Sequence, residues 1–100
     1  MYALQLTRFL QAIKGDGRIG PTHICIYLAI IQAWSQHGFV NPVSVTRIGI
    51  MEAAKISAKA TYHKCMNELQ DFGYIRYIPS RHPIWFSLVF LYDLNEKQCL

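Results

Sequence analysis

Charge is scarce in this chain. Only 16% of its residues are Asp, Glu, Lys or Arg, against about 25% in an ordinary globular domain. Asp16, Glu52, Glu68, Asp71, Asp93 and Glu96 are its only acids, and they are scattered without the pairing that acid–base chemistry on two carboxylates requires. Cysteine is nearly absent. Cys25, Cys65 and Cys99 form an odd set with no paired spacing, which argues against a disulfide framework and for reduced thiols in a cytoplasmic protein. His23, His37, His63 and His82 show no metal-ligand spacing among themselves or with the cysteines. No serine or cysteine stands in a nucleophile motif. Gly15-Asp16-Gly17 lacks the Gly-Lys-Ser/Thr ending of a phosphate loop. An enzyme is therefore not expected, nor a cofactor, a metal or a small-molecule ligand. Long apolar runs are also missing. The longest, Ile24 to Ile31, is far short of the roughly 20 residues that span a bilayer. The opening MYALQLTRFLQAIKGDG has no basic leader ahead of an apolar run, so neither a secretory signal nor a membrane partner is expected. Internal repeats and low-complexity tracts are absent.

Apolar residues are what the chain has in quantity, at 52% of the total. One hundred residues suit one domain with a modest core. The apolar surplus implies surface to hide, as in a dimer. Trp34, Trp85, Tyr2, Tyr27, Phe9 and Phe39 read as core or interface aromatics. A single-stranded nucleic-acid binder would interleave such rings with basic residues, a pattern approached only between Tyr74 and Tyr77.

Helical spacing of Tyr2, Leu6, Phe9, Leu10 and Ile13 predicts an amphipathic helix over about 2–14, stopped by Gly15-Asp16-Gly17. Pro21, with Gly20 before it, suits the first position of a second helix running to Gln36. Ile24, Tyr27, Leu28, Ile31 and Trp34 form one stripe of it, and Cys25, Ile26, Ala29, Ile30 and Ala33 fill much of the rest. A helix apolar nearly all round is buried on most sides, by its own fold or by a partner chain. A short strand is predicted at Val43 to Val45, and Thr46 is a good cap for a helix reaching Lys55. Gly49 should weaken that helix by up to about 1 kcal/mol relative to alanine.

Residues 46–77, TRIGIMEAAKISAKATYHKCMNELQDFGYIRY, carry the strongest signal. A tight turn at Ile56-Ser57 separates the short helix from a longer one, about 57–72, which Ser57 should cap. Tyr62, Cys65, Met66, Leu69 and Phe72 give its buried stripe and Gly73 its end. Tyr74 to Ile78 reads as a strand, Pro79-Ser80-Arg81-His82-Pro83 as a turn and Ile84 to Tyr92 as the returning strand. Residues 93–100 form a tail. The net charge of +4 is concentrated here: Arg47, Lys55, Lys59, Lys64, Arg76 and Arg81 face only Glu52, Glu68 and Asp71.

This order is that of an α+β, mostly helical winged helix-turn-helix, a three-helix core with a β-hairpin wing and an extra N-terminal helix. The segment KISAKATYHKCMNELQDFGYI resembles the recognition helix and following strand of such domains at Ser57, Lys59, Leu69, Phe72, Gly73, Tyr74 and Ile75. Over roughly residues 20–92 the chain is similar to small winged-helix proteins of bacterial mobile and conjugative elements described as transcriptional regulators. It is more distantly similar to ArsR- and MarR-type regulators, which are dimers. The resemblance implies DNA binding by a homodimer. The metal-sensing cysteine clusters of ArsR-type proteins are missing, so metal sensing is not carried over. The wing is short, with Arg81 and His82 as its cationic groups.

Opposite the predicted core stripe, the second helix of the pair presents Lys59, Ala60, His63, Lys64 and Asn67. Recognition helices enter the major groove and read bases mostly from their N-terminal part. Ala58 and Ala60 permit close approach, Lys59 or Lys64 reach guanine or phosphate, and Asn67 pairs with adenine if the helix lies deep enough. Ser57 and the amides beside it are placed for a phosphate. Arg47 is expected at a phosphate, Arg76, facing outward on the wing strand, at a phosphate or in a surface ion pair, and Arg81 and His82 at the backbone or minor groove or else in a solvated hairpin turn. Lysines at the start of this helix and Glu68 and Asp71 near its end all oppose the helix dipole, each by a few tenths of a kcal/mol. That arrangement makes sense if an anion arrives at the N-terminal end. The pairing surface is expected at Tyr2, Leu6, Phe9, Leu10, Ile13 and Ile30. The alternative expectation is a winged-helix protein-interaction module in a larger regulatory, replication or DNA-transfer assembly, because this fold serves both ends.

Overall fold

The computed structural model describes residues 2–80, 86–92 and 94. They form four helices and a three-stranded antiparallel sheet: α1 (Tyr2–Ile13), α2 (Pro21–Gln36), β1 (Val43–Val45), α3 (Arg47–Ala54), α4 (Lys59–Asp71), β2 (Ile75–Ile78) and β3 (Ser87–Leu91). The result is an α+β, mostly helical architecture compatible with a winged-helix-like arrangement. None of the helices is long and apolar enough to cross a membrane.

The hydrophobic stripe of α1 is narrow, and its deepest residue is Phe9. That ring is fully buried, stacks on Tyr27 of α2 with centroids 3.7 Å apart and meets the edge of Tyr74 at 5.6 Å. Gln5 ties the same helix down by donating to the Tyr27 hydroxyl at 2.8 Å and to the Tyr92 carbonyl at 3.1 Å. Burial pushes the Tyr27 phenol up to about 12, against the opposing bond from Gln5. Phe9 and Ile30 had been expected at a pairing surface. Both are enclosed by the chain's own core, so neither is available to a second copy.

The loop after α1 is held by one carboxylate. Asp16 accepts from the Arg18 backbone amide and from its guanidinium, the latter at 2.8 Å, and from the Tyr74 hydroxyl at 2.7 Å. The Arg18 guanidinium also lies over the Phe72 ring at 4.2 Å. The bond from the Arg18 side chain, helped by Tyr74 and opposed by burial, holds Asp16 well below its ordinary value of 3.8. Such a group stabilises the fold fully above its unfolded pKa, and that stabilisation is lost as pH falls toward the folded one. Asp16→Asn is therefore expected to shrink the stability difference between about pH 6 and about pH 3, as read by urea unfolding at both values.

In α2 the first turn is closed by His23, whose Nδ1 accepts the Gly20 amide at 3.0 Å. The buried side of the helix is formed by Ile26, Tyr27, Ile30, Ile31 and Trp34. Cys25 and Leu28 are exposed instead, which corrects the expectation of an apolar stripe through Leu28 and of burial reaching round the helix to Cys25. Gly38 and Phe39 then reverse the chain with positive φ, and Phe39 packs edge-on against Trp34 at 5.0 Å.

Thr46 caps α3 as expected: its hydroxyl accepts the Gly49 amide at 3.0 Å. A β-carbon at position 49 would lie 2.8 Å from that same hydroxyl. Gly49 is thus what lets the cap form. Alanine there gains about 1 kcal/mol in helix propensity but displaces a cap worth about the same. Gly49→Ala is expected to leave the free energy of urea unfolding within about 0.5 kcal/mol of wild type, rather than to stabilise the fold.

Strand β3 lies between the other two, in the order β1-β3-β2. Val43 faces Val89, and Tyr77 faces Val89 from the other side. Beyond β1, the Asn41 side chain continues the ladder, donating to and accepting from the Leu91 backbone at 3.1 Å each. The inner face buries Val43, Val45, Ile75, Tyr77, Val89 and Leu91 against the helices.

Candidate nucleic-acid interface

Helix α4 is anchored from behind by Tyr62, Cys65, Met66 and Leu69, all buried. Their i, i+3, i+4, i+7 spacing leaves the opposite side free. On it lie Lys59, Ala60, His63, Lys64 and Asn67, every one exposed. The structure therefore brings together the five residues expected on this face. His63 sits edge-on to Tyr62 with ring centroids 5.2 Å apart, which places the imidazole beside the anchor row.

The start of α4 differs from expectation. Ser57 does not cap it; Ala58 is the N-cap residue and no side chain bonds to the first-turn amides. Lys55 takes the left-handed conformation at the end of α3, with φ 61° and ψ 41°, and residues 56–58 carry the reversal before α4 begins. Ser57 is exposed in that connection. The uncapped amide end of α4 thus opens beside Ser57 and Lys59, where a helix N-terminus favours an anion.

The acids on α4 are disposed differently from its cations. Glu68 turns toward α2, where its Oε1 lies 3.0 Å from His23 Nε2. Because His23 Nδ1 is already an acceptor for Gly20, Nε2 carries the proton and donates to Glu68. Glu68 is therefore engaged with α2, at the border between the buried stripe and Lys64, its neighbour one turn back. Asp71 is exposed at the last residue of α4, away from the lysine-bearing first half.

The remaining expected contacts are dispersed. Arg47 is half-buried at the first residue of α3, with Nη1 3.6 Å from the Met51 sulfur. Arg76 is exposed on β2 and its guanidinium lies 5.7 Å from the Phe90 ring, its partner across the ladder. Arg81 and His82 lie outside the described residues, as does the side chain of Tyr2. Of the expected pairing surface, Leu10 is 44% exposed, while Leu6 and Ile13 are half-buried against the core. Leu4, not singled out by the sequence pattern, is 53% exposed on the same helix.

Sequence spacing gave no hint of one further juxtaposition. His23, Cys65 and Glu68 form the group among the described residues whose donor atoms could hold a metal ion. Cys65 and Glu68 are one helical turn apart, a visible pairing. His23 is 45 positions from Glu68, and only the packing of α2 on α4 brings it in. Burial, then the neighbouring Glu68 carboxylate, pushes the Cys65 thiol above its ordinary value, with Lys64 opposing. No protein-family model, curated protein or solved structure matches the chain. The architecture is compatible with a generic winged-helix-like domain and with no specific ArsR or MarR family.

Proposed function

We propose that this protein is a sequence-specific, double-stranded DNA-binding protein of the winged-helix type, a transcriptional regulator that acts as a homodimer. Helix α4 enters the major groove, and the connection between β2 and β3 runs beside the backbone or the minor groove. One observation carries this reading: Lys59, Ala60, His63, Lys64 and Asn67 share an exposed side of α4, and the nearest acid on that helix, Glu68, is hydrogen-bonded to His23. Small residues at 58 and 60 let the helix backbone approach, lysines supply charge for guanine acceptors or phosphate, and Asn67 suits adenine. Two copies related by a two-fold axis would set two such helices about 34 Å apart, one turn of the duplex. Leu4 and Leu10, the exposed leucines of α1, are the side chains best placed to serve pairing.

Selection of bound fragments from a random duplex library tests the proposal. An enriched motif with two inverted halves about one helical turn apart is the expected outcome. Recovery of fragments without any common motif would rule out sequence-specific recognition.

A specific feature favours a second reading, in which the domain docks other proteins of a regulatory, replication or transfer assembly. The outer face of the sheet carries apolar side chains where an antiparallel sheet usually turns polar residues to water: Ile78 is 40% exposed next to half-buried Leu88 and Phe90, and just before β3 Phe86 is 62% exposed. Under that reading the duplex selection yields nothing, and Ile78→Lys with Phe86→Lys abolishes assembly without loss of stability.

A further inference from the structure

Where α4 packs on the start of α2, three chemically different donors converge. His23 stands in the first turn of α2, and Cys65 and Glu68 stand one turn apart on α4. The imidazole nitrogen, the thiol sulfur and a carboxylate oxygen all lie within 4.8 Å of one another, and the nitrogen–oxygen pair is already at 3.0 Å. A tetrahedral ion with bonds of about 2.0–2.3 Å holds its ligands roughly 3.3–3.8 Å apart, so small side-chain rotations close the site. His23 and Cys65 are 8% and 5% exposed, while the Glu68 side chain is 32% exposed. Two donors are thus shielded and the third opens to water, which leaves room for a solvent ligand in the fourth position.

We propose that His23, Cys65 and Glu68 form a three-donor site for one zinc-class divalent cation, which ties α4 to the start of α2. The donor set selects the ion. A thiolate beside an imidazole suits zinc and its neighbours, whereas calcium and magnesium require oxygen cages. A single ion would replace the His23–Glu68 hydrogen bond with bonds to both, and would recruit the Cys65 sulfur as its third donor.

Before binding, His23 is neutral with its proton on Nε2, Cys65 is a thiol and Glu68 a carboxylate. The ion takes the Nε2 position, the imidazole is left with its proton on Nδ1, and the Cys65 proton passes to solvent. One proton is released per ion bound. Protonated Nδ1 can no longer accept the Gly20 amide, so binding exchanges the cap of α2 for the cross-helix tie.

The test uses the full, reduced chain without DNA and takes cobalt(II) as an optical probe, so its result is independent of what the outer face of α4 touches. One equivalent is expected to produce the visible bands of a four-coordinate site together with a thiolate-to-cobalt charge-transfer band, and zinc to bleach both. Cys65→Ser removes the charge-transfer band and Glu68→Gln weakens binding by about tenfold or more. Cys25→Ser and Cys99→Ser leave it intact. Zinc also raises the thermal midpoint of the wild-type chain, and it releases the Gly20 amide to faster hydrogen exchange. That readout needs no variant to fold. Absence of a charge-transfer band with no zinc-dependent rise in midpoint would overturn the proposal. So would a band that survives Cys65→Ser and vanishes with Cys25→Ser.

Discussion

Lys59→Ala combined with Lys64→Ala is expected to abolish duplex binding while leaving thermal unfolding near wild type. Both side chains are exposed, and α4 is held from the other side by Tyr62, Met66 and Leu69. Alanine is the better helix former, and Lys59, the first residue of α4, opposes the helix dipole, so its removal adds a few tenths of a kcal/mol if anything. Binding loses much more. Each neutralised phosphate contributes about −0.9 to the slope of log affinity against log salt, so two lost contacts flatten that slope by up to about 1.8. Affinity measured by fluorescence anisotropy on a labelled duplex across a salt series reads both quantities. A double variant that keeps the wild-type affinity and slope would transfer the role of α4 to protein docking.

Phe9→Ala is expected to cost about 3–5 kcal/mol, the range for emptying a well-packed aromatic site. The ring is fully buried, stacked on Tyr27 and edge-on to Tyr74. Whole domains of this size are stable by only about 5–15 kcal/mol. The loss falls on the docking of α1, which the single Gln5–Tyr27 bond and its neighbour to Tyr92 cannot hold alone. Urea unfolding gives the magnitude, and amide exchange shows whether α1 loosens ahead of the rest. Leu10→Ala, one position on but 44% exposed, should shift stability by no more than about 0.5 kcal/mol in the same assay. Should homodimers form through α1, Leu4→Glu with Leu10→Glu shifts sedimentation toward the monomer without that loss.

Much of this architecture was legible because periodicity reports which side of each element is buried. The stripe Tyr62, Cys65, Met66, Leu69 located both the core side of α4 and the exposed residues opposite. Thr46 announced the start of α3, and the β-branched and aromatic run after Gly73 announced β2. Periodicity is silent about what covers a buried side. Phe9 and Ile30 look alike whether a partner chain or the chain's own α-helices enclose them, and here the enclosure is internal. Local propensity misjudged Ser57 for a related reason: the reversal that follows left-handed Lys55 takes up residues 56–58, so the helix starts after the serine. Propensity scales make Gly49 a weakness because they carry no information on the Thr46 hydroxyl it accommodates. The His23–Cys65–Glu68 cluster was beyond reach, since its members meet only through packing between distant helices.

The central strand of the sheet is also the last one made. Until residues 87–91 leave the ribosome, neither Val43–Val45 nor Ile75–Ile78 has a neighbour to pair with, because both bond to β3 and not to each other. During synthesis the helices have local contacts to form while the sheet waits for a strand more than forty residues beyond its first. One strand, β3, thus closes both edges in one event.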